Sequence, residues 1–119
     1  MADLQRLHVE ARWSDLAIHQ GVVYLAGQVP EDTEADIRGQ TREVLAMIDR
    51  LLVEAGSARS RLLQVQIYLR DISEIGAMNE VWDQWVAEVP GHAPPRATVE
   101  AKLAHPDYRI EIVATAAQI

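Results

Sequence analysis

The sequence predicts an α+β fold in which one mixed sheet is covered on one face by two helices. Two segments carry apolar residues at helical spacing, and five others have the alternation or the β-branched composition of strands. In chain order these segments read β-β-α-β-α-β-β. A length of 119 residues, with 49% apolar and 24% charged residues, suits one globular domain over residues 1–119.

The first half of the chain is predicted to form a pair of strands followed by a long helix. Residues 16–18 and 22–25 are apolar and β-prone, and a turn containing Gly21 separates them. Residues 32–55 have helical periodicity, and Gly56 is suited to end that helix because glycine readily adopts the left-handed cap conformation. The predicted buried stripe of the helix consists of Ile37, Val44, Ile48, Leu51, Leu52 and Ala55.

The second half is predicted to contain a strand, a helix and two final strands. The third strand is marked by apolar residues that alternate with polar ones, namely Leu63, Val65, Ile67 and Leu69. Ser73 is the predicted N-cap of the second helix. Its buried stripe is expected to be Ile75, Met78, Trp82, Trp85 and Val86. After a loop at 90–95, residues 96–103 and 108–116 are predicted as strands.

Side-chain parity along these strands predicts which residues share a face of the sheet. The face toward the helices is expected to carry Leu63, Val65, Ile67, Leu69, Ala97, Val99, Ala101, Leu103, Ile110, Ile112, Ala114 and Ala116. The opposite face is expected to carry Gln64, Gln66, Tyr68, Arg96, Thr98, Glu100, Glu111, Val113 and Thr115. Arg96 and Glu111 are therefore predicted on one side, away from the helices, where water or another subunit covers them.

Charge and composition argue against several classes of function. The formal net charge is −7 and basic residues are spread along the chain, which is unfavourable for binding nucleic acid or anionic lipid. No apolar run is long enough to span a membrane, and no signal peptide is visible at the N-terminus. The chain lacks cysteine, which fits a reducing compartment. We therefore expect a cytoplasmic protein without a membrane or nucleic-acid partner.

Arg96 and Glu111 are the candidate functional pair. Arg96 follows the rigid Pro94-Pro95 unit, and an arginine held in that way can offer its planar guanidinium to a carboxylate or phosphate. Glu111 interrupts an apolar strand, where an acid is costly unless it is paired or used. The two together indicate an anion-binding clamp beside a group that handles a proton or water. An ordinary cross-strand ion pair is the alternative.

Several segments in order along residues 10–116 resemble the RidA/YjgF family of small imine deaminases. They are Trp13-Ser14, Ala26-Gly27-Gln28-Val29-Pro30, Gln40-Thr41, Ala55-Gly56, Met78-Asn79-Glu80-Val81-Trp82, Pro95-Arg96-Ala97-Thr98-Val99 and Ile110-Glu111-Ile112. The elements at 13–15 and 91–94 resemble its YoaB-like branch. The resemblance implies a chorismate-mutase-like fold, a homotrimer with clefts between subunits, and hydrolysis of 2-aminoacrylate-type enamines and imines to 2-oxo acids and ammonia.

The resemblance also implies roles for individual residues. Arg96 would bind the substrate carboxylate, and Glu111 would assist the attacking water. The residues expected to contribute further to substrate binding are Trp13, Asn79, Ala26 and Thr98. The chain departs from the family pattern at two of them, because relatives often have serine at the position of Ala26 and usually have tyrosine at the position of Trp13.

No metal or cofactor is expected. The four histidines His8, His19, His92 and His105 do not form a ligand cluster in the sequence.

Two other functions compete with the deaminase. One is a trimer that binds small 2-oxo acids or related carboxylates without turnover, which the missing serine hydroxyl at Ala26 favours. The other is a ribonuclease or translation inhibitor, a role ascribed to some family members. The acidic balance of the chain argues against this last function.

Overall fold

The computed structural model describes residues 3–119, which form one six-stranded sheet with two α-helices packed on it. The elements are β1 Leu4–Val9, β2 Ser14–His19, β3 Val22–Leu25, α1 Ile37–Glu54, β4 Leu62–Leu69, α2 Ile75–Ala87, β5 Arg96–Glu100 and β6 Ile110–Ala117. The strand order is β1-β2-β3-β6-β4-β5, and only the pair β4–β5 is parallel within the described chain. The predicted α+β class, with a mixed sheet and two helices, is confirmed.

The sequence missed the first strand. β1 pairs antiparallel with β2, from Leu4 opposite His19 to Val9 opposite Ser14, so three strands precede α1. Most side chains of β1 are exposed, and its apolar residues are not arranged in a buried alternation. Hydrogen bonds to β2 hold this edge strand in place. Because its side chains are mostly exposed, no pattern of buried residues in the sequence predicts it.

Helix α1 begins later than predicted and ends one residue before the predicted end. The Asp36 side chain accepts a hydrogen bond from the Gly39 N–H at 2.9 Å and caps the helix, so the helix begins at Ile37. At the other end, Gly56 has φ +74°. Its N–H donates to the Val53 carbonyl at 3.1 Å, and the Ser57 N–H donates to the Leu52 carbonyl at 2.8 Å. These two bonds form a Schellman cap, for which the left-handed conformation of Gly56 is required.

The predicted cap of the second helix was wrong. Ser73 lies inside a 3₁₀ turn, Ile72–Glu74, and the side chain of Asp71 accepts from the Ser73 N–H at 3.0 Å. Because Asp71 caps the start of this turn, Ser73 lies inside it. Helix α2 then begins directly after the turn, at Ile75. The predicted apolar stripe is largely correct, since the buried residues of α2 are Met78, Val81, Trp82 and Trp85.

Strands β4 and β6 form the centre of the hydrophobic core. The predicted inward residues of β6 are all buried, namely Ile110, Ile112, Ala114 and Ala116. On β4 the predicted Val65, Ile67 and Leu69 are buried, whereas Leu63 is 48% exposed. The ladder shifts register between Leu62 and Gln64, so Leu62 takes the buried position instead. The prediction for Leu63 was therefore wrong.

The predicted parity of β5 was also wrong. In the parallel pair, Arg96 lies opposite Val65 and Thr98 lies opposite Ile67, and residues in register point to the same face. Arg96, Thr98 and Glu100 therefore face the helices. Ala97 and Val99 face away and are exposed, so this edge strand has its apolar side chains on the uncovered face.

β5 ends at Glu100, which leaves the predicted strand residues Ala101 and Leu103 in the following loop. In the described part of the chain, no helix combines the length and the apolar character that crossing a bilayer requires.

Candidate functional site

Arg96 is held at the edge of the sheet against α2. One of its terminal nitrogens, Nη1, donates to the Asn79 side-chain oxygen at 2.8 Å, and the guanidinium carbon lies 5.2 Å from the centre of the Trp82 ring. The Pro95 carbonyl accepts from the Val65 N–H at 2.9 Å and fixes the start of β5. These contacts orient the guanidinium while leaving its other N–H groups available. Half-buried and preorganised, it is suited to bind a planar anion.

Arg96 forms no ion pair within residues 3–119. The cross-strand pair with Glu111, which the sequence left open, does not form in one chain. A partly buried arginine that donates to a neutral amide and lies over an aromatic ring remains available to an external anion.

The hydroxyl of Thr98 lies on the same face of β5 as Arg96. Its oxygen is the one buried side-chain polar atom of the described residues that has no hydrogen-bond partner. Buried hydroxyl groups almost always have a partner, because an unpaired one loses its hydrogen bonds to water without compensation. Thr98 therefore adds an unsatisfied polar group beside the free guanidinium.

Glu111 lies near the middle of the sheet on the face away from the helices. It is opposite Tyr68 in the β4–β6 ladder and is half-buried. Burial raises the pKa of the Glu111 carboxyl above its ordinary value. No hydrogen bond or ion pair to this carboxyl occurs among the residues that the structure describes. A carboxyl of this kind can accept a proton nearer to neutral pH than an exposed one does.

The segment after β3 makes room for Glu111. Gln28 exchanges two backbone hydrogen bonds with Ile112, at 2.8 and 3.0 Å, which brings the segment beside β6. The Glu111 carboxylate lies against the Cα of Gly27, at a place that a Cβ on residue 27 would occupy. Gly27 is therefore needed for close approach and not for backbone freedom.

Ala26 and Trp13 lie at the same end of the sheet. The Ala26 N–H donates to the Asp15 carbonyl at 2.8 Å, next to Gly27. Trp13 precedes Asp15 in the turn between β1 and β2, and its own carbonyl accepts from the Glu10 N–H at 2.7 Å. Its side chain is 58% exposed, so the indole is available as the wall of a cleft or of a contact with another chain.

The structure thus divides the predicted site residues into two groups. Arg96, Asn79 and Thr98 come together on the helix side of the sheet, whereas Glu111 lies on its other side against Gly27, which follows Ala26 in the chain. The prediction that Arg96 and Glu111 share a face was wrong, because β5 is parallel to β4 and its register places Arg96 with Val65. In one protomer the sheet lies between the two functional groups.

Three further residues belong to this description. Gly27 shapes the Glu111 position, Trp82 supports Arg96, and Lys102 lines a cavity of about 280 Å³ that also contains Glu111. From the sequence, Trp82 is assigned only to the core, and it has this second role because one face of its ring contacts Arg96. Lys102 could have been singled out from the sequence, because it is the only lysine in the chain.

A metal centre is not evident in the described residues, which contain no group of three or more His, Cys, Asp or Glu side chains that could hold an ion.

Comparisons of the sequence and of the fold with known proteins identify the same group of relatives. The sequence model of the family described as Endoribonuclease L-PSP matches residues 4–118. The chain is 47% identical to RutC family protein YoaB of Escherichia coli over 112 residues, which are 94% of this chain and 96% of that protein. It is 45% identical to a RutC family protein of Haemophilus ducreyi over 114 residues, 96% of each chain. A crystal structure of a YjgF family member from Neisseria meningitidis superposes with a TM-score of 0.93 at 43% identity, covering 98% of this chain and 96% of that one.

Proposed function

Because the chain belongs to the Endoribonuclease L-PSP family, which includes the YjgF/RidA and RutC proteins, we propose that it is an imine and enamine deaminase. Its substrates would be reactive 2-aminoacrylate-type intermediates, which it hydrolyses to 2-oxo acids and ammonia. The observation that carries this proposal is the Arg96 guanidinium, which contacts Asn79 and Trp82 and has no carboxylate oxygen within 4.0 Å in residues 3–119. The cytoplasmic location expected from the sequence is part of the same proposal.

Arg96 is the proposed site for the substrate carboxylate. A guanidinium and a carboxylate form two parallel charge-assisted hydrogen bonds, which fix the position and the orientation of a small acid. The unpaired Thr98 hydroxyl lies on the same face of β5 and supplies a further hydrogen-bonding group at that end. A substrate bound in this way has its imine carbon held at one distance from the arginine, which reduces the entropic part of the barrier.

Glu111 is the proposed group that activates water. As a carboxylate it accepts a proton from a water molecule while the oxygen bonds to the carbon of the C=N group. When the C=N group is protonated, the addition gives a neutral tetrahedral amino alcohol. The Glu111 carboxyl then returns the proton to the nitrogen. As the C–N bond breaks, the hydroxyl proton passes to the Glu111 carboxylate, the C=O bond forms and ammonia leaves, taking that proton as ammonium. The raised pKa of Glu111 suits both directions of this transfer.

The position of these groups on opposite faces of the sheet supports a site formed by two chains. We therefore propose the homotrimer that the family resemblance implies, with Arg96 of one protomer and Glu111 of another in each cleft. The uncovered face of the sheet supports such an assembly, because Tyr24, Leu63 and Val99 are each more than 40% exposed there. A ring of three chains would bury this surface. It would also place strand β5 of one protomer, which carries Arg96, against the uncovered sheet face of the next, which carries Glu111.

Trp13 and Ala26 are proposed as walls of the cleft. The exposed indole of Trp13 offers a broad apolar contact but no phenolic hydroxyl. Ala26, beside Gly27 and Glu111, offers no hydroxyl to a water or ligand. Both residues favour a small, partly apolar substrate over one with many hydrogen-bonding groups.

The proposal is tested by the release of 2-oxo acid and ammonia from imines that an amino acid oxidase generates. We expect Arg96→Ala to reduce the rate by at least about 100-fold, since the charge that holds the substrate is lost. Arg42→Ala is the matched control, because Arg42 is exposed on α1 and its replacement removes the same positive charge. Circular dichroism checks that both variants are folded. Unchanged turnover in folded Arg96→Ala would reject the assignment.

Binding without turnover is the second candidate function. Ala26 favours it, because the position beside Glu111 lacks the hydroxyl that relatives often have. Calorimetry with pyruvate or 2-oxobutyrate, run beside the imine assay, separates the two functions. Binding that depends on Arg96 together with no acceleration of imine hydrolysis would establish a carboxylate-binding protein.

A further inference from the structure

Lys102 lies beside Glu111, and Arg70 lies in the next cavity along the same wall. Lys102 lines the cavity of about 280 Å³ that contains Glu111. It also lines a neighbouring cavity of about 720 Å³, whose wall includes Arg70. In the part of the chain that the structure describes, neither Lys102 nor Arg70 has a carboxylate oxygen within 4.0 Å.

The acid in this wall is already engaged. Glu100 lines the larger cavity with Arg70, and its Oε1 accepts from the Ile72 N–H at 3.0 Å. In a chain with a formal net charge of −7, a wall with two cations that have no ion pair among the described residues, and with one acid, is a local departure. Such a wall attracts an anionic group even though the protein as a whole repels it.

The position of Lys102 relative to Glu111 leaves room for a ligand. Both residues line one cavity but do not form an ion pair, so more than 4.0 Å separates their charged atoms. A volume of about 280 Å³ is near the lower end of ligand pockets, which suits a small metabolite. A molecule that presents its reacting carbon to Glu111 would reach toward Lys102 with its other end.

We propose that Lys102, supported by Arg70, binds a second anionic group of the substrate, so that the protein prefers 2-imino acids with an acidic side chain. This inference rests on the proposed deaminase function and names its substrate class. Arg96 takes the carboxylate next to the reacting carbon, and Lys102 takes the anionic group at the far end. The chemistry suits a side-chain carboxylate or a phosphate, because an ammonium group binds either as a point charge.

The test compares two imines that amino acid oxidases generate, one from glutamate and one from 2-aminobutyrate. The measured quantity is the ratio of kcat/KM for the acidic imine to that for the apolar one. Wild type is expected to favour the acidic imine. Lys102→Met is expected to lower the ratio roughly tenfold, as loss of a charged hydrogen bond does, and Arg70→Met about threefold. Lys102→Arg is expected to retain most of it.

Arg42→Met is the control, since it removes an exposed positive charge from α1 and is expected to leave the ratio unchanged. Equal loss of both rates in Lys102→Met would overturn the inference, because it would show that Lys102 binds the group common to both substrates. A ratio that Lys102→Met alters no more than Arg42→Met does would overturn it as well. In either case the deaminase proposal stands if Arg96→Ala is inactive.

Calorimetry gives a readout that does not depend on turnover. We expect wild type to bind 2-oxoglutarate more tightly than 2-oxobutyrate, and Lys102→Met to lose this difference. A 2-oxo acid with a terminal phosphate in place of the side-chain carboxylate tests which of these two anionic groups Lys102 binds more tightly. If the protein binds 2-oxo acids with this preference but hydrolyses no imine, the substrate-class inference holds for a binding protein and the deaminase proposal fails.

Discussion

Arg96 and Glu111 lie on opposite faces of one sheet, with Arg96 at the parallel edge strand and Glu111 on the central strand β6. The guanidinium contacts α2, whereas the carboxyl lies among residues that point away from both helices. If the sheet separates the two groups in one protomer, as their faces indicate, a site that uses both residues is formed by two chains. This expectation has a direct test.

Mixing two inactive variants is expected to restore activity. If each cleft takes Arg96 from one protomer and Glu111 from the next, trimers that contain both Arg96→Ala and Glu111→Gln chains have some clefts with both groups intact. Random assembly at equal amounts makes about a quarter of the clefts complete. The imine assay on co-refolded variants, compared with the variants mixed after folding, measures the recovery. No recovery from a confirmed mixed trimer would contradict a shared cleft.

The pH dependence of the reaction is expected to depend on Glu111. Because burial raises the pKa of this carboxyl, the rate of imine hydrolysis is expected to rise as pH increases through a value above that of an ordinary glutamate. Glu111→Gln is expected to remove this limb of the kcat profile along with most of the activity. A profile whose acid limb survives in Glu111→Gln would assign the titration to another group.

The same pKa shift has a consequence for stability. A group whose pKa is raised in the folded state contributes stability that is fully present below its unfolded pKa and is lost as pH rises through the folded pKa. Glu111→Gln removes this pH-dependent loss of folding stability. The variant is therefore expected to have a higher free energy of unfolding than wild type at pH 8 and no higher one near pH 4. Solvent screening of the half-buried carboxyl keeps the gain small. Urea unfolding at the two pH values measures it.

Gly27→Ala is expected to impair the Glu111 position. The added Cβ would meet the carboxylate, which must then move from its place on the sheet. We expect a loss of about tenfold or more in kcat with a smaller effect on KM, because a misplaced catalytic group affects the chemical step. Gly76→Ala is the control, since a Cβ at that helical position has no atom within 4 Å. It is expected to stabilise α2 by about 0.5–1 kcal/mol and to leave kcat unchanged.

Thr98→Val separates a role in ligand binding from a role in packing. The two side chains have the same shape, and the buried hydroxyl that is lost has no hydrogen-bond partner among residues 3–119. We expect the free energy of unfolding to stay constant or to rise by about 1 kcal/mol. If the hydroxyl contributes to substrate binding, KM rises at the same time. A destabilised variant with unchanged KM would show that the hydroxyl serves the fold.

The sequence predicted those features that depend on a regular pattern of buried residues. The stripe of α1, the cap at Gly56 and the inward residues of β6 all follow from periodicity or from the conformational preference of glycine, and all are confirmed. β1 and the bulge at Leu62 were missed because ladder hydrogen bonds determine them and side-chain burial does not.

The candidate residues could be named from the sequence, but their arrangement could not. Parity assigns side chains to a face only when the face of one residue is already known. For β5 that face depends on its pairing with β4, which a crossover through α2 establishes. The apolar Ala97 and Val99 suggested the inward face, but in this edge strand they are exposed and the polar Arg96 contacts the helix.

The edge position of β5 places Arg96 and Glu111 on strands that differ in how easily they open locally. β5 is hydrogen-bonded along one side only, whereas β6 is bonded to β3 and β4. Peripheral strands open locally at a lower free energy than central ones, as amide exchange detects. If Arg96 binds the substrate and Glu111 handles the proton, as proposed, the binding group therefore lies on a strand that opens more readily than the strand carrying the carboxyl.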